Sequence, residues 1–275
     1  MCLPISFHCN DLQRLKAIQQ NFLEYFRPFQ TLPNAIWHED EASTWIIVPG
    51  APGSHVLSVN VIGEVDTKLK QICLEHRKLT DFMCWLPTAC DVPNNLVDRL
   101  EALGLKRKDD GEPVMIADLR ATLAEPDVDA LRISQVRNEP ELRDWQRATG
   151  GGFGGGFDFA KIWGDTYLKK GLEPDNPFMH FTGYVDGKPV TSSSLLLAGG
   201  IAGVYDVSTI PAYRKRGLGR AMTLKAMQVA QQHGYEIAYL RASDEGFSVY
   251  RSLGFETLFH ETQCIWETAA IEGSD

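Results

Sequence analysis

The run Val207-Ser208-Thr209-Ile210-Pro211-Ala212-Tyr213-Arg214-Lys215-Arg216-Gly217-Leu218-Gly219-Arg220 sets four basic side chains and two glycines between a strand-like stretch and a helical pattern. A turn of this kind can hold an anion. Backbone N–H groups at a helix start lack intrahelical partners and converge on one point. The helix dipole adds positive charge there, and glycine lets a ligand approach the main chain. A ligand with several phosphate charges suits Arg214, Lys215, Arg216 and Arg220; the alternative is a solvated basic turn ahead of a helix. It is not a Walker loop, because no Gly-Lys-Ser/Thr follows. Further on, Tyr250-Arg251-Ser252-Leu253-Gly254-Phe255 closes a second helical stretch and supplies one phenol.

The elements around the turn are legible. Leu131 to Val136 reads as a strand. Asn138-Glu139-Pro140-Glu141 then gives an N-cap, an early proline and a capping-box Glu, so a helix is expected to run to about Ala148, ended by Gly150 to Gly156. Phe178–Val185 and Pro189–Leu197 read as a hairpin joined by Asp186-Gly187, with Val204–Thr209 as the next strand. Helical spacing holds from Leu218 to His233-Gly234. Ile237–Leu240 is a short strand, Glu245–Ser252 a helix, and Phe255 to Trp266 one or two closing strands. The fold class expected is mixed α/β, with helices on the faces of a sheet.

The acidic, proline-containing stretch Glu125-Pro126-Asp127-Val128-Asp129 lies between two strand-like segments, which places a domain boundary there: residues 1–125 and 131–270. Offset by 150 residues, Leu253-Gly254-Phe255 falls on Leu103-Gly104-Leu105, and Phe82 to Leu86 stands for the preceding strand, as if one unit were repeated. A net charge of −9 argues against gripping a phosphate backbone, so no nucleic-acid partner is expected. With 44 % hydrophobic and 23 % charged residues the composition is that of a globular protein. No secretory leader or long apolar span is visible, so no membrane partner and a cytoplasmic location are expected. The six cysteines show no framework of spacings, and structural thiols suit them better than a metal site. Gly150 to Gly155 satisfies a dinucleotide-binding spacing but follows a helix, the wrong context.

Taken together, the strand, Pro211, the turn from Arg214 to Gly219, its helix, the strand to Leu240 and the Tyr250-x-x-x-Gly254-Phe255 ending resemble the GCN5-related N-acetyltransferases, the GNAT superfamily, over about residues 131–267. The resemblance implies two GNAT-like domains as in tandem members, each a twisted, mostly antiparallel sheet with a splayed parallel pair and flanking helices. It implies acetyl-CoA as acyl donor and no metal. Val207, Ser208 and Thr209 would lie along the pantetheine arm, and Arg214, Lys215, Arg216, Gly217, Leu218, Gly219 and Arg220 would hold the diphosphate. Tyr250 matches the family tyrosine near the thioester sulfur; its alternative is a helix residue packed beside Val249 and Leu253. A phenol of pKa about 10 can protonate a leaving thiolate of pKa about 8.5 to 10 with little penalty.

Many family members carry an Asn three residues before a small residue that itself precedes the tyrosine by four; here those positions are Ser243 and Gly246. Ser243 would bond the pantetheine or a water, or else cap the helix. Asp206 stands where relatives carry an acid able to deprotonate an ammonium through water; its alternative is a polar strand residue near a cleft mouth. The first half has Ile62-Gly63-Glu64-Val65-Asp66 at the place of the phosphate turn and Leu100 at that of Tyr250, so it reads as a non-catalytic copy. The expected activity is acetyl transfer to a primary amine, of a small molecule or peptide, by direct attack in a ternary complex. The alternative is an acyl-CoA-binding sensor without transfer. A third reading is acyl transfer with a longer acyl chain or to an oxygen acceptor.

Overall fold

The computed structural model describes residues 3–48, 53–88, 90–108, 111–121, 123–124, 128–173 and 176–267. In chain order the elements are α1 (Asp11–Phe26), β1 (Ile36–Glu39), β2 (Ser43–Val48), β3 (Gly53–Val59), α2 (Val65–Leu79), β4 (Phe82–Trp85), α3 (Leu96–Ala102), β5 (Lys106–Lys108) and β6 (Pro113–Asp118). There follow β7 (Arg132–Gln135), α4 (Glu139–Phe153), α5 (Gly156–Lys170), β8 (Phe178–Val185), β9 (Lys188–Ala198), β10 (Ile201–Thr209), α6 (Leu218–Gln232), β11 (Ile237–Arg241), α7 (Asp244–Ser252), β12 (Glu256–His260) and β13 (Gln263–Glu267).

Two compact units result, but not the two halves expected. One comprises Met1–Pro28 with Glu112–Phe259, the other Phe29–Gly111 with His260–Asp275. The cut between 1–125 and 131–270 is therefore corrected, and Glu125-Pro126-Asp127 lies outside the described residues. The physical reason is strand burial. The β6 residues Val114, Met115, Ile116 and Ala117 are all buried, and an apolar strand of this kind needs a sheet around it. It pairs antiparallel with β11 from Asp118↔Ile237 to Val114↔Arg241. Ala17 and Ile18 of α1 pack on Val114, Ile116, Ile201 and Ile237 of the same sheet. Conversely β13, with Cys264 and Ile265 buried, pairs antiparallel with β4 and β5, so the two closing strands separate into different sheets.

The first unit has a seven-stranded sheet in the order β12-β6-β11-β10-β9-β8-β7, the second a six-stranded sheet β1-β2-β3-β4-β13-β5. β10 and β11 run parallel among antiparallel neighbours, as do β3 and β4. On one face of the larger sheet Met222, Ala226, Met227 and Ala230 of α6 pack on Leu195, Leu197, Ala202 and Val204. On the other, Leu142 and Trp145 of α4 and Tyr167 of α5 meet Phe178 and Leu196.

Helix α4 starts as expected, with Asn138 Oδ1 accepting from the Glu141 N–H at 3.0 Å. It does not stop at Ala148 but continues through Gly150, Gly151 and Gly152 to Phe153, breaking at Gly154 with φ +80. Close approach explains glycines inside a helix, where each costs about 1 kcal/mol relative to alanine. A Cβ at Gly150 would lie 1.9 Å from Gly156 O, and one at Gly152 only 2.5 Å from Ser208 Oγ. The glycines let α4 lie against the start of α5 and against β10.

Candidate active site

β10 and β11 are in register only at Ala202↔Ala238 and Gly203↔Tyr239. Beyond Gly203 the two strands part, and a bulge follows. Tyr205 faces Ser194 while Ser208 faces Ser192, so Asp206 and Val207 together oppose one residue of β9. The parting leaves a cleft of about 880 Å³ with Val207, Ser208 and Thr209 on one side and the segment from Ser243 to Tyr250 on the other. Ser208 Oγ bonds Ala148 O and Ser192 Oγ, and Thr209 Oγ1 bonds Thr191 Oγ1. Both side chains are thus engaged with neighbouring elements, and the carbonyls of Asp206, Ser208 and Thr209 accept from Ser192 Oγ, Thr191 Oγ1 and Arg214 Nε; on the cleft side β11 no longer pairs with β10 beyond Gly203.

The basic turn enters α6 at the end of this cleft. Gly217 is the N-cap at φ +77, a conformation natural to glycine, and among the described residues no side chain caps the helix. Gly217, Gly219, Lys215 and Arg220 line the cleft. The Leu218 side chain is buried with Val185 and Val190, leaving its main chain to the turn. The four basic residues do not act alike. Arg214 donates to Thr209 O at 3.1 Å and Gly152 O at 2.8 Å and pairs with Glu245 at 3.1 Å, so it ties β10, α4 and α7 together across the cleft mouth. Arg216 lies over the Tyr213 ring, 5.3 Å from its centroid, and does not line the cleft. Lys215 and Arg220 have no ion pair among the described residues, which makes them the cations available to a phosphate.

Tyr250 sits on α7, buried within the core that α6 and the sheet enclose, and lines the same cleft. Burial, and then the Glu112 carboxylate, push its phenol up to about 12. It therefore remains protonated at neutral pH. Ser243 also lines the cleft, but its hydroxyl accepts from the Gly246 N–H at 3.3 Å as the N-cap of α7.

Asp206 is displaced from this cleft. It occupies the bulge at φ +53, and its side chain meets residues of α1, α5 and β9. The Tyr25 hydroxyl donates to Asp206 Oδ1 at 3.2 Å, and the hydroxyls of Ser194 and Tyr167 also stabilise its carboxylate. Burial outweighs these donors and raises the acid to about 6, so it titrates near neutrality. Tyr25, Tyr167 and Ser194 were not singled out from sequence. The i,i+4 spacing of Asn21 and Tyr25 on one helix face was the available signal, and it could not say which strand that face covers.

In the second unit the corresponding opening is closed by the chain itself. After β3 and β4 pair at His55↔Cys84 and Val56↔Trp85, Val92 donates to Val59 O and accepts from the Val61 N–H, both at 2.9 Å. The buried Asp91 accepts from the Val59 N–H at 2.8 Å and from the Thr88 N–H. Glu64, with φ +47, stands at the N-cap of α2, and Leu100 is fully buried where the first unit has Tyr250. Among the described residues no group of three or more His, Cys, Asp or Glu side chains could hold a metal ion. No described helix is long and apolar enough to cross a membrane.

A sheet with one splayed parallel pair, a glycine-rich turn running into a helix with no side-chain cap among the described residues and a tyrosine across the wedge are the features of the GNAT fold. Residues 140–255 match the family model described as the acetyltransferase (GNAT) family. Among solved structures, the GCN5-related N-acetyltransferase from Kribbella flavida aligns with a TM-score of 0.66 at 16 % identity, over 93 % of this chain and 96 % of that one. A tandem GNAT protein from the clavulanic acid biosynthesis pathway aligns at 0.61 and 13 %, over 99 % and 91 %. The GCN5-related N-acetyltransferase from Sphaerobacter thermophilus aligns at 0.60 and 13 %, over 93 % and 91 %. At these identities they share the fold. No curated protein matches the chain in sequence.

Proposed function

We propose that the chain is an acetyl-CoA-dependent N-acyltransferase that transfers an acetyl group to a primary amine by direct attack in a ternary complex. The observation that carries this reading is one open wedge bearing an uncapped helix start at one end and a protonated phenol along its wall. The main chain from Arg214 to Arg220, with the Lys215 and Arg220 side chains, would hold the diphosphate. The β10 main chain at Val207, Ser208 and Thr209 would pair with the pantetheine arm, near Ser243.

The chemistry needs two proton transfers. An ammonium acceptor gives one proton, through water, to the Asp206 carboxylate; the freed lone pair attacks the thioester carbon, and the C–S bond breaks as the C–N bond forms. Tyr250 protonates the leaving thiolate, and the second proton lost from nitrogen restores the phenol through solvent. A thiolate formed in the same desolvated cleft is itself made more basic, which keeps that last transfer near balance despite the raised phenol. The second unit, its wedge filled by Asp91 and Val92, is the non-catalytic copy.

The test is a calorimetric titration of acetyl-CoA into the full chain, followed by a screen of primary amines for release of free CoA thiol. Saturable binding and amine-dependent release are expected. Binding without release for every amine would favour a sensor, and no binding would remove the acyl-CoA reading.

A further inference from the structure

Helix α1 lies outside residues 140–255, yet it reaches the proposed base. It is fixed tightly on the β9–β10 turn: a Cβ at Gly199 would lie 2.6 Å from Ala17 O. The buried Asn21 spans that turn, its amide donating to Leu196 O, Ala198 O and Ile201 O at 2.9–3.0 Å, while its Oδ1 accepts from the Tyr205 hydroxyl at 2.8 Å. One helical turn later Tyr25 stacks on Tyr205, with centroids 4.2 Å apart and planes at 17°, and this stack delivers its hydroxyl to Asp206 Oδ1. Asp206 Oδ2 is buried without a hydrogen bond of normal geometry among the described residues. Tyr25 therefore fixes Oδ1, while Oδ2 is enclosed near the Tyr167 and Ser194 hydroxyls.

We propose that Tyr25 is a positioning residue for acyl transfer, holding the buried Asp206 by Oδ1 so that the carboxylate can take up the acceptor's proton relayed through water. The proposal rests on Asp206 being the base. The other groups facing this carboxylate are Tyr167 from α5 and Ser194 from β9, whose Oγ bonds His180 Nδ1 of β8 at 2.8 Å. Burial holds His180 down to about 3, so it is neutral. Tyr205 beside Asp206 bonds Tyr239 of β11, and the Arg241 guanidinium lies over the Phe22 ring at 3.5 Å. Losing the Tyr25 donor removes stabilisation of the charged form alone.

Tyr25→Phe keeps the ring and its stack, so the fold survives. The deciding readout is the carbon-13 NMR titration of the Asp206 carboxyl carbon in the full chain, assigned with Asp206→Asn. Tyr25→Phe is expected to raise its midpoint by about half a unit to one unit, a three- to ten-fold rise in proton affinity. The acid limb of kcat/KM, measured with the amine found by the screen, is expected to move up by the same amount while the Kd for acetyl-CoA is unchanged. An unmoved midpoint, or activity lowered equally at every pH, overturns the role of Tyr25. Should Asp206→Asn keep the acid limb in place, the base assignment itself falls, whatever Tyr25→Phe does to the titration.

Discussion

Gly246 lies beneath the ring of Tyr250, one turn earlier on α7: a Cβ there would come within 2.7 Å of Tyr250 Cε2 and 3.2 Å of its hydroxyl oxygen. The missing side chain thus sets where the phenol rests. Gly246→Ala favours the helix by about 1 kcal/mol but drives the ring aside. We expect turnover to fall about ten- to a hundred-fold, as in Tyr250→Phe, given the size of general-acid contributions. Affinity for acetyl-CoA should stay within a few-fold. Steady-state kinetics beside a calorimetric Kd check this, and wild-type turnover in Gly246→Ala would mean that the phenol's position is immaterial.

At Gly219 the geometry separates bulk from charge. A Cβ there makes only ordinary contacts, 3.8 Å from Thr209 Oγ1 and 3.9 Å from Val207 Cγ1, and the residue lines the cleft. Gly219→Ala should therefore fold and bind acetyl-CoA with modest loss. Gly219→Glu sets a carboxylate where the diphosphate belongs and should abolish binding. Equal affinity of the two variants would dismiss the turn as the diphosphate site.

The buried Asp206 costs the fold stability at neutral pH. Its folded-state value of about 6 lies above the unfolded value of about 3.9, so over that range the native state binds more protons than the unfolded chain. Stability then falls as pH rises from about 4 to 6 and stays lowered above, by roughly 3 kcal/mol for a shift of about two units. Asp206→Asn keeps an acceptor for Tyr25, tolerates φ +53 better and carries no charge. We expect it to unfold at higher denaturant concentration than wild type at pH 7.5, with the gap shrinking towards pH 4.5, while acyl transfer is largely lost. A variant less stable than wild type at pH 7.5 would contradict the burial argument.

The hairpin from β8 to β9, the turn into α6 and the Asn138 cap were legible because each is a local code: turn glycines, helical spacing and a capping residue acting within a few positions. The unit boundary was not. Nothing within β6 says that Val114 to Ala117 pair with residues more than a hundred positions later, and an apolar strand carries no address for its neighbour. The extent of α4 was misread for a related reason, since Gly150 to Gly152 answer to the close approach of α5 and β10 rather than to helix propensity. In the site, the basic, glycine-bearing turn at a helix start was legible from its residues, and Tyr250 from the resemblance. Arg214 was read as a phosphate ligand although its partners Thr209, Gly152 and Glu245 come together only in three dimensions.

The repeated unit raises the question of how many acetyl-CoA molecules one chain takes. Parallel strands that part expose main-chain donors and acceptors, and in the first unit β11 pairs with β10 only as far as Gly203, with no described strand taking its place on the cleft side. In the second unit Val59, Asn60 and Val61 already pair with Val92, and Asp91 takes up the Val59 N–H, so those groups have intramolecular partners. A ligand would have to break them, and buried hydrogen bonds to a carboxylate are worth about 1.5–3 kcal/mol each. Glu64 at the α2 N-cap adds repulsion towards a phosphate. We therefore expect one acetyl-CoA per chain by calorimetry, with Gly219→Glu reducing the count to zero. A stoichiometry of two, or one site surviving in Gly219→Glu, would place a donor site in the second unit and end its reading as a non-catalytic copy.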